Sequence, residues 1–145
     1  MYRKIVIAYD GTEDGKVALH HGLALAHGRQ VGVTIMGIVV TSGGLLLDPA
    51  VVSRDLIDTE QRLLRDALDS AAQEATRMGV MATTVLRDGD AAHEIAAYAR
   101  EVHADLVVVG HGHKGLLARW LEGSVGTQLL AAMPCSLLVA SDPVA

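Results

Sequence analysis

Short apolar runs alternate with helical patterns along the chain, and this alternation constrains the fold more than any other feature. The apolar runs lie at residues 4–9, 31–40, 80–86, 106–109 and 135–140. Helical patterns lie between them, at residues 14–27, 53–78, 91–102 and 124–132. The second carries a continuous apolar stripe, which includes Leu56 and Leu63 and predicts a buried face, and the breakers before it predict a long loop at residues 41–52. Nearly continuous apolar runs of strand length are typical of parallel strands that are covered on both faces. The sequence therefore predicts an α/β protein with an open parallel sheet and helices on both faces.

Length and composition fit one domain over residues 1–145, because no linker or low-complexity segment divides the chain. The apolar runs are too short to span a bilayer, so we expect no membrane partner. The first residues lack the length and cleavage site of a signal peptide, and a single cysteine, Cys135, excludes an internal disulfide. We therefore expect a cytoplasmic protein, with Cys135 as an inert core residue of the last strand.

The charge balance and the histidine spacing argue against two kinds of partner. The net charge is −5 and phenylalanine is absent, whereas a nucleic-acid surface needs clustered cations or stacking aromatics. Two histidine pairs, at residues 20–21 and at residues 111 and 113, have no third ligand at a familiar spacing. We therefore expect no nucleic-acid partner and no protein metal site.

Asp10 directly follows the first apolar run, which places it at the carboxyl end of a strand. Ligands of open α/β sheets bind at this edge, where the strand order reverses. A carboxylate there can accept hydrogen bonds from a ribose or from an adenine edge. Asp10 can equally shape the turn, or cap the first helix. The sequence leaves both interpretations open.

A glycine-rich connection follows the fourth apolar run, from Gly110 to Gly115, and ends at Gly123-Ser124-Val125. Glycine lets the backbone approach phosphates closely. Ser124 can cap the last helix, whose first N–H groups form an anion site. An ordinary strand-to-helix loop has the same appearance, so this alternative stays open.

Standard nucleotide motifs and catalytic groups are missing from the sequence. No P-loop is present, and no G-x-G-x-x-G follows the first strand. Ser124 lies outside any nucleophile elbow, while Asp88 and Asp90 are interpreted as turn and cap residues. We therefore predict no catalytic residue and no enzymatic function, with any ATP hydrolysis slow at most.

The chain resembles the universal stress protein family over nearly its whole length. The resemblance rests on a buried strand that runs into Asp10-Gly11-Thr12, the segments 89–90 and 104–110, and the pairs Gly123-Ser124 and Pro134-Cys135. It implies a five-stranded sheet in the order 3-2-1-4-5. It also implies a homodimer through the last strand, Cys135–Ala140, whose edge would otherwise be unprotected.

The ATP-binding branch of that family carries G-x-x-G-x9-G-[ST]. In this chain His113 replaces the second glycine, which favours AMP or ADP over ATP if the side chain crowds the γ-phosphate. The resemblance implies an adenine nucleotide (ATP, ADP or AMP), with Mg²⁺ possible alongside ATP. It assigns the contacts with the base and the ribose to Ala8, Asp10, Ile38 and Val109. It assigns the contacts with the phosphates to Gly110, Gly112, His113, Gly123, Ser124 and Val125.

Two functions follow from these expectations. The first is a stress-response or regulatory protein that binds an adenine nucleotide at the carboxyl edge of the sheet. The alternative is a homodimeric scaffold of the same fold that works without a nucleotide.

Overall fold

A computed structural model describes residues 1–40, 54–110, 130–131 and 133–141. Strands and helices alternate within these residues, as the sequence predicts. The elements are β1 (Lys4–Ala8), α1 (Glu13–Ala26), β2 (Gly32–Val40), α2 (Arg54–Arg77), β3 (Ala82–Gly89), α3 (Ala91–Glu101), β4 (Leu106–Gly110) and β5 (Ser136–Ala140).

The five strands form one sheet in the order β3-β2-β1-β4-β5, and all of its pairs are parallel. This confirms the predicted fold class and strand order. The order reverses at β1, since β2 lies on one side of it and β4 on the other. The carboxyl ends of β1 and β4 therefore flank the position where open α/β sheets bind ligands.

Alternate residues of the strands contribute to two hydrophobic cores, one on each face of the sheet. Ile5 and Ile7 of β1 pack with α1 and α2, whereas Val6 and Ala8 pack with α3. All four are almost fully buried, and so are the valines of β4. Burial of both faces explains why these strands lack the polar alternation of half-exposed strands.

Glycines end the helices where the sequence predicts. Gly28 and Gly79 follow α1 and α2 with φ of +72° and +73°, the left-handed conformation that terminates a helix. Asp90 caps α3, because its carboxylate accepts a hydrogen bond of 2.9 Å from the backbone N–H of His93.

Three sequence predictions are wrong in detail. Leu56 and Leu63 were expected in the buried stripe of α2, but they are 60% and 65% exposed. The third strand was expected at residues 80–86, with a turn at 88–90. It instead starts at Ala82 and continues to Gly89, because Asp88 and Gly89 still pair with the end of β2. The loop at residues 41–52 and most of the helix predicted at 124–132 lie outside the described residues.

Candidate functional site

Asp10 lies two residues beyond β1, and its carboxylate shapes the turn into α1. Its Oδ1 accepts hydrogen bonds from the Thr12 backbone N–H at 3.0 Å and from the Thr12 hydroxyl at 2.5 Å. Between them Gly11 has a φ of +81°. The cap of α1 is Thr12, whose hydroxyl oxygen accepts from the Gly15 N–H at 3.2 Å. The interpretation of Asp10 as the helix cap is therefore wrong, whereas its role in the turn is confirmed.

The two oxygens of the Asp10 carboxylate have different surroundings. A β-carbon added to Gly15 would lie 2.5 Å from Oδ1, so this oxygen faces the first turn of α1. Oδ2 lies on the other side of the carboxyl carbon, and no described residue hydrogen-bonds to it. Asp10 is half-buried at the edge of the sheet. With respect to the described residues, its second oxygen therefore keeps its full capacity to accept hydrogen bonds.

The end of β4 meets the same turn of α1. A β-carbon added to Gly110 would collide with the carbonyl oxygen of Asp14 and would lie 2.7 Å from its carbonyl carbon. Asp14 and Gly15 are consecutive, so the first turn of α1 contacts the tip of β4 through one residue and Asp10 through the next. The structure thus brings together Asp10 and Gly110, two of the residues that the sequence analysis assigned to the site.

Ala8, Ile38 and Val109 lie on the α3 side of the sheet, in one hydrophobic cluster. Ala8 and Val109 are buried completely or nearly so, while Ile38 is partly exposed. Among the three, Ile38 alone exposes side-chain surface that a ligand could contact, since Ala8 and Val109 are buried. The remaining predicted site residues lie outside the described residues: Gly112, His113, Gly123, Ser124 and Val125.

The described side of the site is rich in carboxylates. Glu13 and Asp14 occupy the first turn of α1, and the Lys16 ammonium pairs with Glu13 at 3.1 Å. Burial raises the pKa of the neighbouring Tyr9 phenol, so this side chain stays neutral at physiological pH. Negative charge on this side disfavours phosphate and favours groups that donate hydrogen bonds, such as sugar hydroxyls or an exocyclic amine.

Arg87 is a cation near the carboxyl end of β3, but α3 already engages it. Its guanidinium forms hydrogen bonds of 3.2 and 2.7 Å to Glu101, lies 3.8 Å from Glu94, and stacks 5.1 Å from the Tyr98 ring centre. The hydrogen bond from Arg87 holds the pKa of Glu101 below its ordinary value. This cluster ties the edge strand to α3 and leaves no unpaired guanidinium for a phosphate.

An open hollow of about 760 Å³ lies at the opposite, amino-terminal end of the sheet. Its lining includes Lys4, Thr34, Thr83 and Tyr98. It shares no residue with the predicted site. We favour the carboxyl edge despite this hollow, because the strand order reverses there and two neighbouring strand tips converge on one helix start.

Two further expectations concern cysteine and metal chemistry. Cys135 directly precedes β5, so its placement within that strand is wrong. It is half-buried and packs against the hydrophobic cluster on the α3 side of the sheet, as expected of a residue at the core. Burial, followed by the charge of Asp105, raises the pKa of its thiol and reduces its reactivity at neutral pH. Within the described ranges, no three histidine, cysteine, aspartate or glutamate side chains come close enough to hold a metal ion.

Sequence comparison identifies the family. The model of the universal stress protein family matches residues 1–141. The chain belongs to the universal stress protein family. A universal stress protein of Methanothermobacter thermautotrophicus is 31% identical over 140 residues, which cover 94% of each chain. None of the helices in the described segments is long and apolar enough to cross a membrane.

Solved structures of this family share the fold. A universal stress protein in complex with cAMP superposes with a TM-score of 0.71 at 20% identity, over 98% of this chain and 99% of the other. A family member from Arabidopsis thaliana with AMP bound gives 0.67 at 15% identity, over 98% and 93%. Identity at this level shows that the fold is shared.

Sequence reasoning missed two residues that build this site, Thr12 and Gly15. Thr12 holds the Asp10 carboxylate, and Gly15 leaves room for it against α1. The Asp-x-Thr spacing is a signal for the first, since an aspartate at the start of a turn accepts from the backbone two residues on. The second has no local signal, because the contact depends on how closely α1 approaches β1.

Proposed function

We propose that this chain is a regulatory, stress-response protein that binds an adenine nucleotide at the carboxyl edge of its sheet. The nucleotide acts as a ligand that changes conformation or partner affinity, and it is hydrolysed slowly or not at all. ATP, ADP and AMP are all candidates, with Mg²⁺ accompanying ATP.

One observation carries this proposal: Asp10 and the tip of β4 at Gly110 meet at the first turn of α1. A carboxylate oxygen without a hydrogen-bond partner among the described residues lies there, near the glycine against which the Asp14 backbone packs. This juxtaposition suits a ribose on the acidic side, with phosphates directed toward the glycine-rich connection after β4. The AMP and cAMP bound to two relatives of the same fold support the choice of an adenine nucleotide.

The proposal is tested by titrating ATP, ADP and AMP separately into the purified protein, with and without Mg²⁺. At a ligand concentration of about 100 times Kd, binding stabilises the folded state by about 2.7 kcal/mol. For a chain of this size that raises Tm by about 5–11 °C. A Tm that stays constant up to millimolar concentrations of all three nucleotides would rule out the nucleotide function.

Asp10→Ala is the site variant, and Asp88→Ala is its matched control. Asp88 is an exposed carboxylate near the carboxyl end of β3, so its removal changes the net charge by the same amount. We expect Asp10→Ala to weaken nucleotide binding about tenfold or more, and Asp88→Ala to bind like the wild type. Equal losses in both variants would indicate a general charge effect.

The alternative, a nucleotide-independent homodimeric scaffold, is favoured by the other edge of the sheet. In the described part of the chain no strand pairs with the outer side of β5, and Val139 is 37% exposed there. We propose that a second copy of β5 covers this edge, which would satisfy its unpaired N–H and C=O groups. Light scattering of the wild type and of Val139→Lys tests this proposal. We expect the wild type to be a dimer and Val139→Lys to be a monomer, and a monomeric wild type would contradict the proposal.

A further inference from the structure

We propose that Thr12 is a positioning residue that fixes the Asp10 carboxylate and thereby makes the site selective for nucleotides with free ribose hydroxyls. This inference rests on the proposed nucleotide function, and it concerns a residue outside the contacts inferred for the ligand. The evidence is the hydrogen bonding of one hydroxyl group and the space around one carboxylate.

The Thr12 hydroxyl has two hydrogen-bond partners, and it is the donor to one and the acceptor from the other. It donates its proton to Asp10 Oδ1 at 2.5 Å and accepts the Gly15 N–H at 3.2 Å. A hydroxyl has a single proton to donate. Because the carboxylate oxygen only accepts, the hydroxyl supplies the proton of that contact, and a lone pair of the hydroxyl oxygen accepts the Gly15 N–H. The start of α1 thus fixes the orientation of Asp10 through Thr12.

These contacts leave the two carboxylate oxygens unequal. Oδ1 also accepts the Thr12 backbone N–H, so its two lone pairs are both used. Gly15 leaves Oδ1 just enough room against α1, since a β-carbon there would lie 2.5 Å from it. The carboxylate is therefore held with Oδ1 toward the protein and Oδ2 toward the ligand side.

A carboxylate oxygen accepts hydrogen bonds and donates none, so Oδ2 selects ligand groups that carry a proton. Its two lone pairs match the two neighbouring hydroxyls of a ribose. A nucleotide that lacks both hydroxyls leaves this oxygen without a partner in a half-buried place, which costs affinity. Without the Thr12 hydroxyl only the Thr12 backbone N–H holds Oδ1, so the carboxylate rotates more freely and the preference for ribose falls.

The experiment measures the ratio of affinities for ATP and 2′,3′-dideoxy-ATP by calorimetry. The proteins are the wild type, Thr12→Val, Thr12→Ser and Asp90→Ala. Valine has the shape of threonine without the hydroxyl, whereas serine keeps it. Asp90→Ala removes the corresponding cap of another helix, α3, so it controls for the loss of a helix cap.

We expect the wild type to prefer ATP by about tenfold, a preference worth one hydrogen bond to a charged group. Thr12→Val should reduce the preference to less than about threefold, whereas Thr12→Ser and Asp90→Ala should keep it. A purely structural role for Thr12 would weaken both ligands equally and leave the ratio unchanged.

The possible failures are distinguishable. If the wild type binds neither ligand, the proposed function is wrong and the role of Thr12 is lost with it. If the wild type binds ATP but Thr12→Val keeps the wild-type ratio, the positioning role alone is overturned. It is also overturned if the wild type shows no preference, or if Asp90→Ala lowers the ratio as much as Thr12→Val does.

Discussion

Replacement of Gly110 by alanine directly tests the contact that holds the two strand tips at α1. The new β-carbon would collide with the carbonyl oxygen of Asp14 and lie 2.7 Å from its carbonyl carbon. Both atoms belong to the backbone, so no side-chain rotation relieves the contact. Either the end of β4 or the first turn of α1 must move.

The magnitude follows from the kind of atom that is displaced. Overpacking a close contact costs about 1–3 kcal/mol, and the upper half of that range fits a clash with backbone. For a chain of about this length each kcal/mol lowers Tm by about 2–4 °C, so the expected decrease is roughly 4–12 °C. Movement of the turn also disturbs Gly15 and with it the Asp10 carboxylate. Affinity for a nucleotide should therefore fall about tenfold, the equivalent of one hydrogen bond.

The matched control is Gly32→Ala, at the start of β2. A β-carbon there would meet nothing closer than the Arg3 carbonyl oxygen at 3.8 Å, an ordinary van der Waals contact. Its Tm should equal or slightly exceed that of the wild type, because alanine restricts the unfolded chain more than glycine does. Thermal unfolding and nucleotide titration are measured on both variants. If Gly110→Ala and Gly32→Ala have the same Tm and the same affinity for the nucleotide, the end of β4 does not contact the first turn of α1 as described.

Two more predictions concern contacts outside the site. The Asp105 carboxylate accepts hydrogen bonds from the backbone N–H groups of Arg3 at 2.7 Å and Lys4 at 3.0 Å. Asp105→Ala should therefore lower the free energy of unfolding, measured by urea titration, by about 2 kcal/mol. A change under about 0.5 kcal/mol would contradict this. The hydrogen bond from Arg87 lowers the pKa of Glu101. The stabilisation from this pair is therefore complete at pH values above the ordinary glutamate pKa, and it is lost as the pH falls through the lowered pKa. In an NMR titration Arg87→Ala should raise the Glu101 midpoint, and an unchanged midpoint would show that the guanidinium is not its cause.

The hydrophobic pattern of the sequence predicts which elements form, because burial on two faces imposes it. The run of valines before Gly110 is buried as expected, and the Asp90 cap follows from its place before an apolar helix. The strand order came from the family resemblance, since no local pattern specifies which strands are neighbours. Local physics therefore defines the elements, whereas their arrangement depends on contacts between distant residues.

The errors have physical causes of the same kind. Helical periodicity indicates which side of α2 points inward, but the apolar stripe of this helix is wider than the face that meets the sheet. A β-carbon at Gly37 would contact the side chains of Leu64 and Leu68, so these two residues face β2. Leu63 precedes Leu64 and is therefore turned about 100° away from it around the helix, and Leu56, seven residues earlier, lies on the same side as Leu63. Both leucines stay exposed for this reason.

The end of β3 was misplaced because Arg87 and Asp88 are polar, and polar residues usually mark the end of a buried strand. An edge strand follows a different rule, since its side chains can reach solvent or a neighbouring helix. Here Arg87 pairs with α3, and the backbone continues to pair with β2 as far as Gly89. Charge on an edge strand is also a protection against unwanted pairing.

The site depends on how closely α1 approaches the sheet, and three glycines permit that approach. A β-carbon at Gly22 would collide with Ile7, one at Gly15 with Asp10, and one at Gly110 with Asp14. These contacts follow one line along α1, from the middle of β1 to the tips of β1 and β4. Gly110 is 95 residues from Gly15, so the sequence shows the two glycines but not that they serve one contact. The same close approach that packs the core at Gly22 therefore holds the Asp10 carboxylate in place at Gly15.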